Sequence, residues 1–152
     1  MNGLQFYKER FASLSVKVTK GLMAPHKAVM LLTIMDLIRD GSITENKIFA
    51  SEELKASFVI HWDELIGFSL TYSCSPWTPY WHMGKECFWH FRLKDGFQGD
   101  VESIVPRGKT ASIGRIRRSI DYASLDDELF QLLTIESNRL ELAKVLQKVF
   151  LN

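Results

Sequence analysis

Several kinds of signal are missing from this chain, and each absence narrows what the chain can be. No long apolar run is present. The longest, residues 28–35, is broken by Thr33 and falls well short of the roughly 20 residues that cross a bilayer. Residues 1–14 carry Lys8, Glu9 and Arg10 among their apolar side chains, so they do not read as a secretion signal. There are only two cysteines, Cys74 and Cys87, in no CxxC or zinc-like spacing. Without a secretory signal they read as reduced thiols of a cytoplasmic protein. No G-x-S-x-G elbow, P-loop or H-E-x-x-H helix occurs. The four histidines, His26, His61, His82 and His90, lie in no ββα unit of the kind an HNH nuclease needs. His82 and His90 could meet across a hairpin, with Cys74 or Cys87 joining them on a metal, but such spacing is common by accident. The expectation is a protein that is not an enzyme and holds no metal and no cofactor.

What is present suits a folded binding module. A chain of 152 residues, 46% hydrophobic and 24% charged, is long enough for a substantial core and reads as a single domain over 1–152. Net charge is only +1, yet it is segregated. Residues 8–27 hold five basic residues (Lys8, Arg10, Lys17, Lys20, Lys27) against Glu9 alone. Residues 105–120 hold five more (Arg107, Lys109, Arg115, Arg117, Arg118) and no acid. The rest of the chain is therefore net acidic. Local potential of this kind steers a polyanion more effectively than the total charge suggests.

Periodicity gives the coarse organisation. Leu4, Tyr7, Phe11 and Leu14 recur at helical spacing, and 13–20 reads as an irregular basic segment. Pro25 suits the first turn of a helix running to about Arg39, with Gly41 just past its end. That helix is apolar nearly all round from Val29 to Ile38, so it should be central and buried. His26 and Lys27 are polar residues at its start, where outward N–H groups and the helix dipole favour an anion. Residues 43–50 alternate loosely and suggest a short strand. Ser51, followed by Glu52 and Glu53, is a good helix cap, and Leu54, Phe58, His61, Trp62 and Leu65 form one stripe behind it. Pro106-Arg107-Gly108 marks a loop, and Thr110 or Ser112 can cap a short basic helix over 113–122. Helices over 125–133 and 137–150 complete the chain.

The densest stretch is 76–96, which contains three of the four tryptophans and two of the four histidines. Its alternation predicts two strands, 79–83 and 87–93, joined by Gly84-Lys85-Glu86, with Gly84 supplying positive φ. Phe88, His90 and Arg92 would share one face, and Cys87, Trp89, Phe91 and Leu93 the other. A lone hairpin is marginal in water and must lie on helices. The fold class is therefore α+β: a mostly helical single domain with a small antiparallel sheet or β-hairpin, loosely like a winged helix.

APHKAVMLL, PYWHMGKECFWHFRLKDG and IRRSIDYASLDDELFQLL, in that order, resemble the sulfur-binding domains of modification-dependent HNH restriction endonucleases. Members of that family bind phosphorothioate DNA, in which sulfur replaces a non-bridging phosphate oxygen. The resemblance covers nearly the whole chain. It implies that His26 and Lys27 meet the modified phosphate. It also implies that a proline-containing aromatic strand, matched by Thr78, Pro79, Tyr80, Trp81 and His82, forms an apolar cup for the sulfur. Apart from the resemblance, Trp81 and Trp89 are expected in the core, since aromatics on a hairpin more often pack inward. The family often has tyrosine at the position of Thr78 and a small residue at that of His82. Together with the basic clusters, the expected contacts to DNA backbone and bases are Lys17, Lys20, Arg107, Lys109, Ser112, Arg115, Arg117 and Arg118. The expected partner is double-stranded DNA carrying phosphorothioate linkages, with no membrane involved. A C-terminal HNH nuclease domain and a homodimer are both compatible with the resemblance. The alternative from another class is a protein-interaction or oligomerisation domain that uses the exposed aromatics of the 79–93 hairpin.

Overall fold

The structure, a computed structural model, describes residues 3–97, 105 and 109–151. The chain begins with α1 (Leu4–Ala12), followed by a two-residue hairpin of β1 (Val18–Thr19) and β2 (Leu22–Met23). Lys20 and Gly21 make its turn with φ of 53° and 78°. Two consecutive left-handed residues match the right-handed twist of flanking strands, and a glycine at the second makes this inexpensive. The segment 13–20, expected to be irregular, is so over 13–17, and its end forms the first arm of this hairpin.

Next come α2 (His26–Arg39) and α3 (Glu52–Leu65), which pack on each other. Pro25 takes the cap position of α2, and the Ser51 hydroxyl caps α3 by accepting from Leu54 N at 3.1 Å. The apolar run of α2 is buried on almost every side, and Leu31 and Ile34 join the core with Phe58 and Trp62 of α3. A fully buried aliphatic or aromatic side chain contributes about 1.5–3 kcal/mol by leaving water, so this pair of helices organises the rest.

The stretch 76–96 differs from the expected hairpin. Its first half is α4 (Trp77–His82) continued by a 3₁₀ turn, Met83–Lys85. Pro76 caps α4 and Pro79 falls in its first turn, where a missing N–H breaks no helical bond. Aromatic content favours strands, but the spacing of Trp77, Tyr80 and Trp81 puts these rings on one side of a helix. Gly84 has no left-handed φ. It is small because the ring of Phe91 lies against it, and an added Cβ would sit 2.8 Å from Phe91 Cε2.

The second half is a strand, β3 (Trp89–Leu93), whose partner lies far along the chain. β4 (Ile120–Leu125) pairs antiparallel with it in the register Trp89–Leu125, His90–Ser124, Phe91–Ala123 and Arg92–Tyr122. β4 occupies the residues expected to end the basic helix, so α5 stops earlier, at Ile113–Ser119. Trp89 faces the core while His90 and Arg92 face outward, as the alternation predicts. Ile48 bridges to Ala123 from the other side of β4, with paired N–H···O distances of 2.7 and 2.9 Å. The strand expected over 43–50 is thus a single bridge. With no 79–93 hairpin, the winged-helix likeness loses its wing.

The chain closes with α6 (Asp127–Leu133) and α7 (Glu136–Phe150), and α7 packs across α1 and α2. The described residues form a mostly helical α+β fold with two antiparallel two-stranded sheets around one contiguous apolar cluster. Among them, no helix is long and apolar enough to cross a membrane.

Candidate functional site

A cleft of about 430 Å³ opens where the hairpin arm, the start of α2 and one side of α4 converge. Ser15, Val16, Lys17 and Ala24 form one wall, His26 and Lys27 the base, and Thr78, Pro79, His82 and Lys85 the other wall. Five residues expected at a phosphorothioate, His26, Lys27, Thr78, Pro79 and His82, therefore face one space, and Lys17 joins them from the backbone set. The hairpin arm is held there because Lys17 O accepts from Ala24 N at 2.8 Å.

His26 is fixed by its surroundings. Its Nε2 donates to Ser73 O at 2.8 Å, its ring lies 4.7 Å from that of Trp62, and Tyr72 meets it edge-on at 5.8 Å. Burial lowers its pKa below the ordinary 6.5, against the opposing effect of the Ser73 bond. It enters the cleft as a neutral imidazole rather than a cation. Tyr72 also fixes the hairpin, donating to Leu22 O at 2.6 Å and accepting from Thr19 N at 3.2 Å.

Lys27 departs from expectation. Helix-terminus reasoning points a first-turn lysine out toward an anion, but its side chain is only 7% exposed. Nζ lies 2.5 Å from Glu86 Oε2 and donates to Ser15 O at 2.6 Å. The same Glu86 oxygen accepts from Ser15 N at 3.1 Å. Burial lowers the Lys27 pKa, and the Glu86 carboxylate opposes that shift. The charge that Lys27 brings to the cleft is therefore largely compensated from behind.

On the opposite wall, Thr78 Oγ1 is 2.9 Å from Ser75 Oγ, and Pro79, buried in α4, lines the cleft with no N–H to donate. His82 Nε2 is hydrogen-bonded to Thr110 Oγ1 at 2.8 Å. Burial chiefly, with Lys85 and Lys27 nearby, lowers the His82 pKa. Tyr80, expected at the sulfur, is not part of the cleft. It is fully buried, its hydroxyl donates to Ile48 O at 2.7 Å, and burial pushes its pKa far up. A helix turns residues 79 and 80 to different sides, which is why one lines the cleft and the other the core.

The remaining expected DNA contacts divide into groups. Lys20 is exposed at the tip of the small hairpin. Lys109 is exposed, and its carbonyl accepts from Trp81 Nε1 at 3.1 Å, so this segment is tied to α4. Ser112 caps α5 by accepting from Arg115 N at 3.2 Å. Arg115 and Arg118 are exposed on α5. Arg117 is engaged within the protein: it donates to Ala50 O and to Glu52 Oε1, each at 3.0 Å, and its guanidinium lies 5.6 Å from the ring centroid of Trp77. Arg107 and its Pro-Arg-Gly loop lie outside the described residues.

Two possibilities that the sequence left open are not realised among the described residues. His82 and His90 do not meet: His90 donates to Asp126 Oδ1 at 2.7 Å, on another face. Among the described residues, no group of three histidines, cysteines or carboxylates could hold a metal ion. The aromatic hairpin of the alternative reading is also not a surface, since Tyr80, Trp81, Phe88 and Trp89 are all buried. Sequence reasoning missed Ser15, Val16, Ala24, Lys85 and Glu86. A buried helix with a lysine in its first turn does demand an acid from elsewhere, and that demand was the available signal for Glu86. Comparison with protein-family models and with curated proteins finds no match to this chain.

Proposed function

We propose that this chain binds double-stranded DNA carrying phosphorothioate linkages, seating the sulfur against Pro79 in the cleft. One observation carries the reading: residues from two segments far apart in the chain, His26 and Lys27 on α2 and Thr78, Pro79 and His82 on α4, line the same space. Sulfur is larger, more polarizable and less strongly hydrated than oxygen, while the linkage keeps its negative charge. Ring carbons of Pro79 lose little by covering sulfur but leave an oxygen without a hydrogen bond. That difference is worth about 1–3 kcal/mol, roughly ten- to hundredfold in affinity. Neutral His26 and His82 and the compensated Lys27 suit an anion that needs modest solvation. Exposed Lys17 and Lys85 at the mouth, with Lys20, Lys109, Arg115 and Arg118 beyond, attract the backbone without regard to sulfur.

In this proposal the chain is the reader of a cytoplasmic, modification-dependent restriction system, and cutting belongs to an HNH nuclease segment joined to it. The test is a gel shift with two duplexes that differ by one sulfur atom, in each stereochemical form. Tighter retention of one sulfur duplex is expected, and equal retention of all forms would overturn the proposal.

A second reading has its own observation. Val18, Leu22 and Met23 on the hairpin and Phe68 and Leu70 on the adjoining loop are exposed, Leu70 at 94%. An apolar surface of this kind fits a protein partner. Binding to DNA weakens steeply with salt, whereas an apolar protein contact does not, so a salt series separates the two.

A further inference from the structure

We propose that Glu86 sets the specificity of the cleft by holding Lys27 as a compensated pair. The inference rests on the phosphorothioate reading and concerns a residue behind the cleft wall. The Lys27 ammonium has three protons. One is directed to Glu86 Oε2 at 2.5 Å and one to Ser15 O at 2.6 Å, which leaves one for a ligand. Glu86 is itself only 10% exposed and is pinned by Ser15 N, so the carboxylate cannot swing away into water without breaking both contacts.

The consequence is electrostatic. A bare ammonium in a partly desolvated cleft would attract a small, hard phosphate oxygen at short range more strongly than it attracts a larger sulfur, because Coulomb energy falls with distance. A carboxylate directly behind the ammonium turns that single charge into a dipole, and the advantage of oxygen shrinks. The cost of dehydrating the linkage remains, and it is greater for oxygen. With Glu86 in place, hydration decides in favour of sulfur. Without it, the attraction of the bare charge for oxygen offsets part of that advantage, and the preference for sulfur narrows. Glu86 thus acts through Lys27 as a positioning residue and touches no ligand itself.

Glu86→Gln keeps the size and an acceptor oxygen but removes the charge. Binding to the all-oxygen duplex should strengthen about tenfold and binding to the sulfur duplex only a few-fold, so the preference for sulfur falls. The salt dependence of both should steepen by roughly 0.9 in log–log slope, because Lys27 now counts as a full cation. A residue with a purely structural role would instead lower melting temperature and weaken both complexes in proportion. Glu86→Asp, which keeps the charge but draws it back, should shift the preference in the same direction by a smaller factor. In the wild-type complex with the sulfur duplex, the Lys27 ammonium observed by nitrogen-15 NMR should remain hydrogen-bonded to Glu86. Loss of that pair on binding, or an unchanged preference in both variants, overturns the role of Glu86 alone. A wild-type protein with no preference for sulfur overturns the parent reading as well.

Discussion

The imidazole of His82 and the hydroxyl of Thr110 stand 2.8 Å apart, joining the wall of the cleft to the segment that leads into α5. Beside that bond, Trp81 donates to Lys109 O. The wall of the cleft and the start of α5 are therefore joined through two hydrogen bonds from α4. On the proposed reading, α4 sets where Arg115 and Arg118 stand relative to Pro79 along a bound duplex.

The neutrality of the cleft histidines predicts a pH dependence. Burial lowers the pKa of both His26 and His82 from 6.5, so the unfolded chain takes up protons before the folded one as pH falls. The stability associated with these neutral rings is fully present above pH 6.5 and is lost as pH drops through the lower folded-state values. Melting temperature, followed downward from neutral pH through this window, should fall, and His82→Asn should make the fall shallower. A variant that melts with the wild-type pH profile would show that His82 is not held neutral.

Tyr80 provides a test of the division between core and cleft. Tyr80→Phe removes the hydroxyl that donates to Ile48 O in a fully buried position. The change should destabilise the fold by about 0.5–1.5 kcal/mol, the net value of one hydrogen bond, because Ile48 O still accepts from Ala123 N. The ratio of affinities for sulfur and all-oxygen duplexes should stay as it was. A changed ratio in a stable variant would return Tyr80 to the binding surface.

Cations at the cleft mouth should differ from those already committed within the protein. Lys17→Ala and Lys85→Ala should each weaken binding to modified and ordinary DNA by similar factors. Each should also flatten the log–log salt dependence by roughly 0.9 for every phosphate that the variant no longer neutralises. Arg117→Ala should flatten it less, since Glu52 already neutralises that guanidinium at 3.0 Å. Salt titrations of the three variants settle the order, and a full loss of slope in Arg117→Ala alone would reverse it.

How far the sequence can be read follows from the range of the interactions involved. The helices α2, α3 and α7 are legible because Pro25, Ser51 and the apolar stripes are local signals. The stretch 76–96 misleads because hairpin logic joins neighbours. Trp89 and Phe91 pair instead with Leu125 and Ala123, far along the chain, and no local pattern announces that. Pro76 and Pro79 are helix-start residues, but the aromatics between and after them also favour strands, and burial in the core decides the outcome. Lys27 is misplaced for the same reason. Helix-terminus reasoning turns its charge outward, while Glu86, 59 positions on, draws it in. Of the cleft residues, His26, Lys27, Thr78, Pro79 and His82 are legible because each belongs to a short motif that does not depend on whether its segment is strand or helix, whereas Ser15, Val16, Ala24 and Lys85 reach the cleft only through the tertiary fold.

The most direct test is to shrink the wall that should touch the sulfur. Pro79→Ala keeps an apolar surface, removes ring carbons and restores an N–H in the first turn of α4, where it breaks no helical bond. Dissociation constants for the sulfur duplex in its preferred stereochemical form and for the all-oxygen duplex should be measured on one preparation, together with the melting temperature. Binding to the sulfur duplex should weaken by about 1–2 kcal/mol while binding to the all-oxygen duplex scarcely changes. An unchanged ratio of the two constants, with or without a loss of thermal stability, would contradict the seating of sulfur against Pro79.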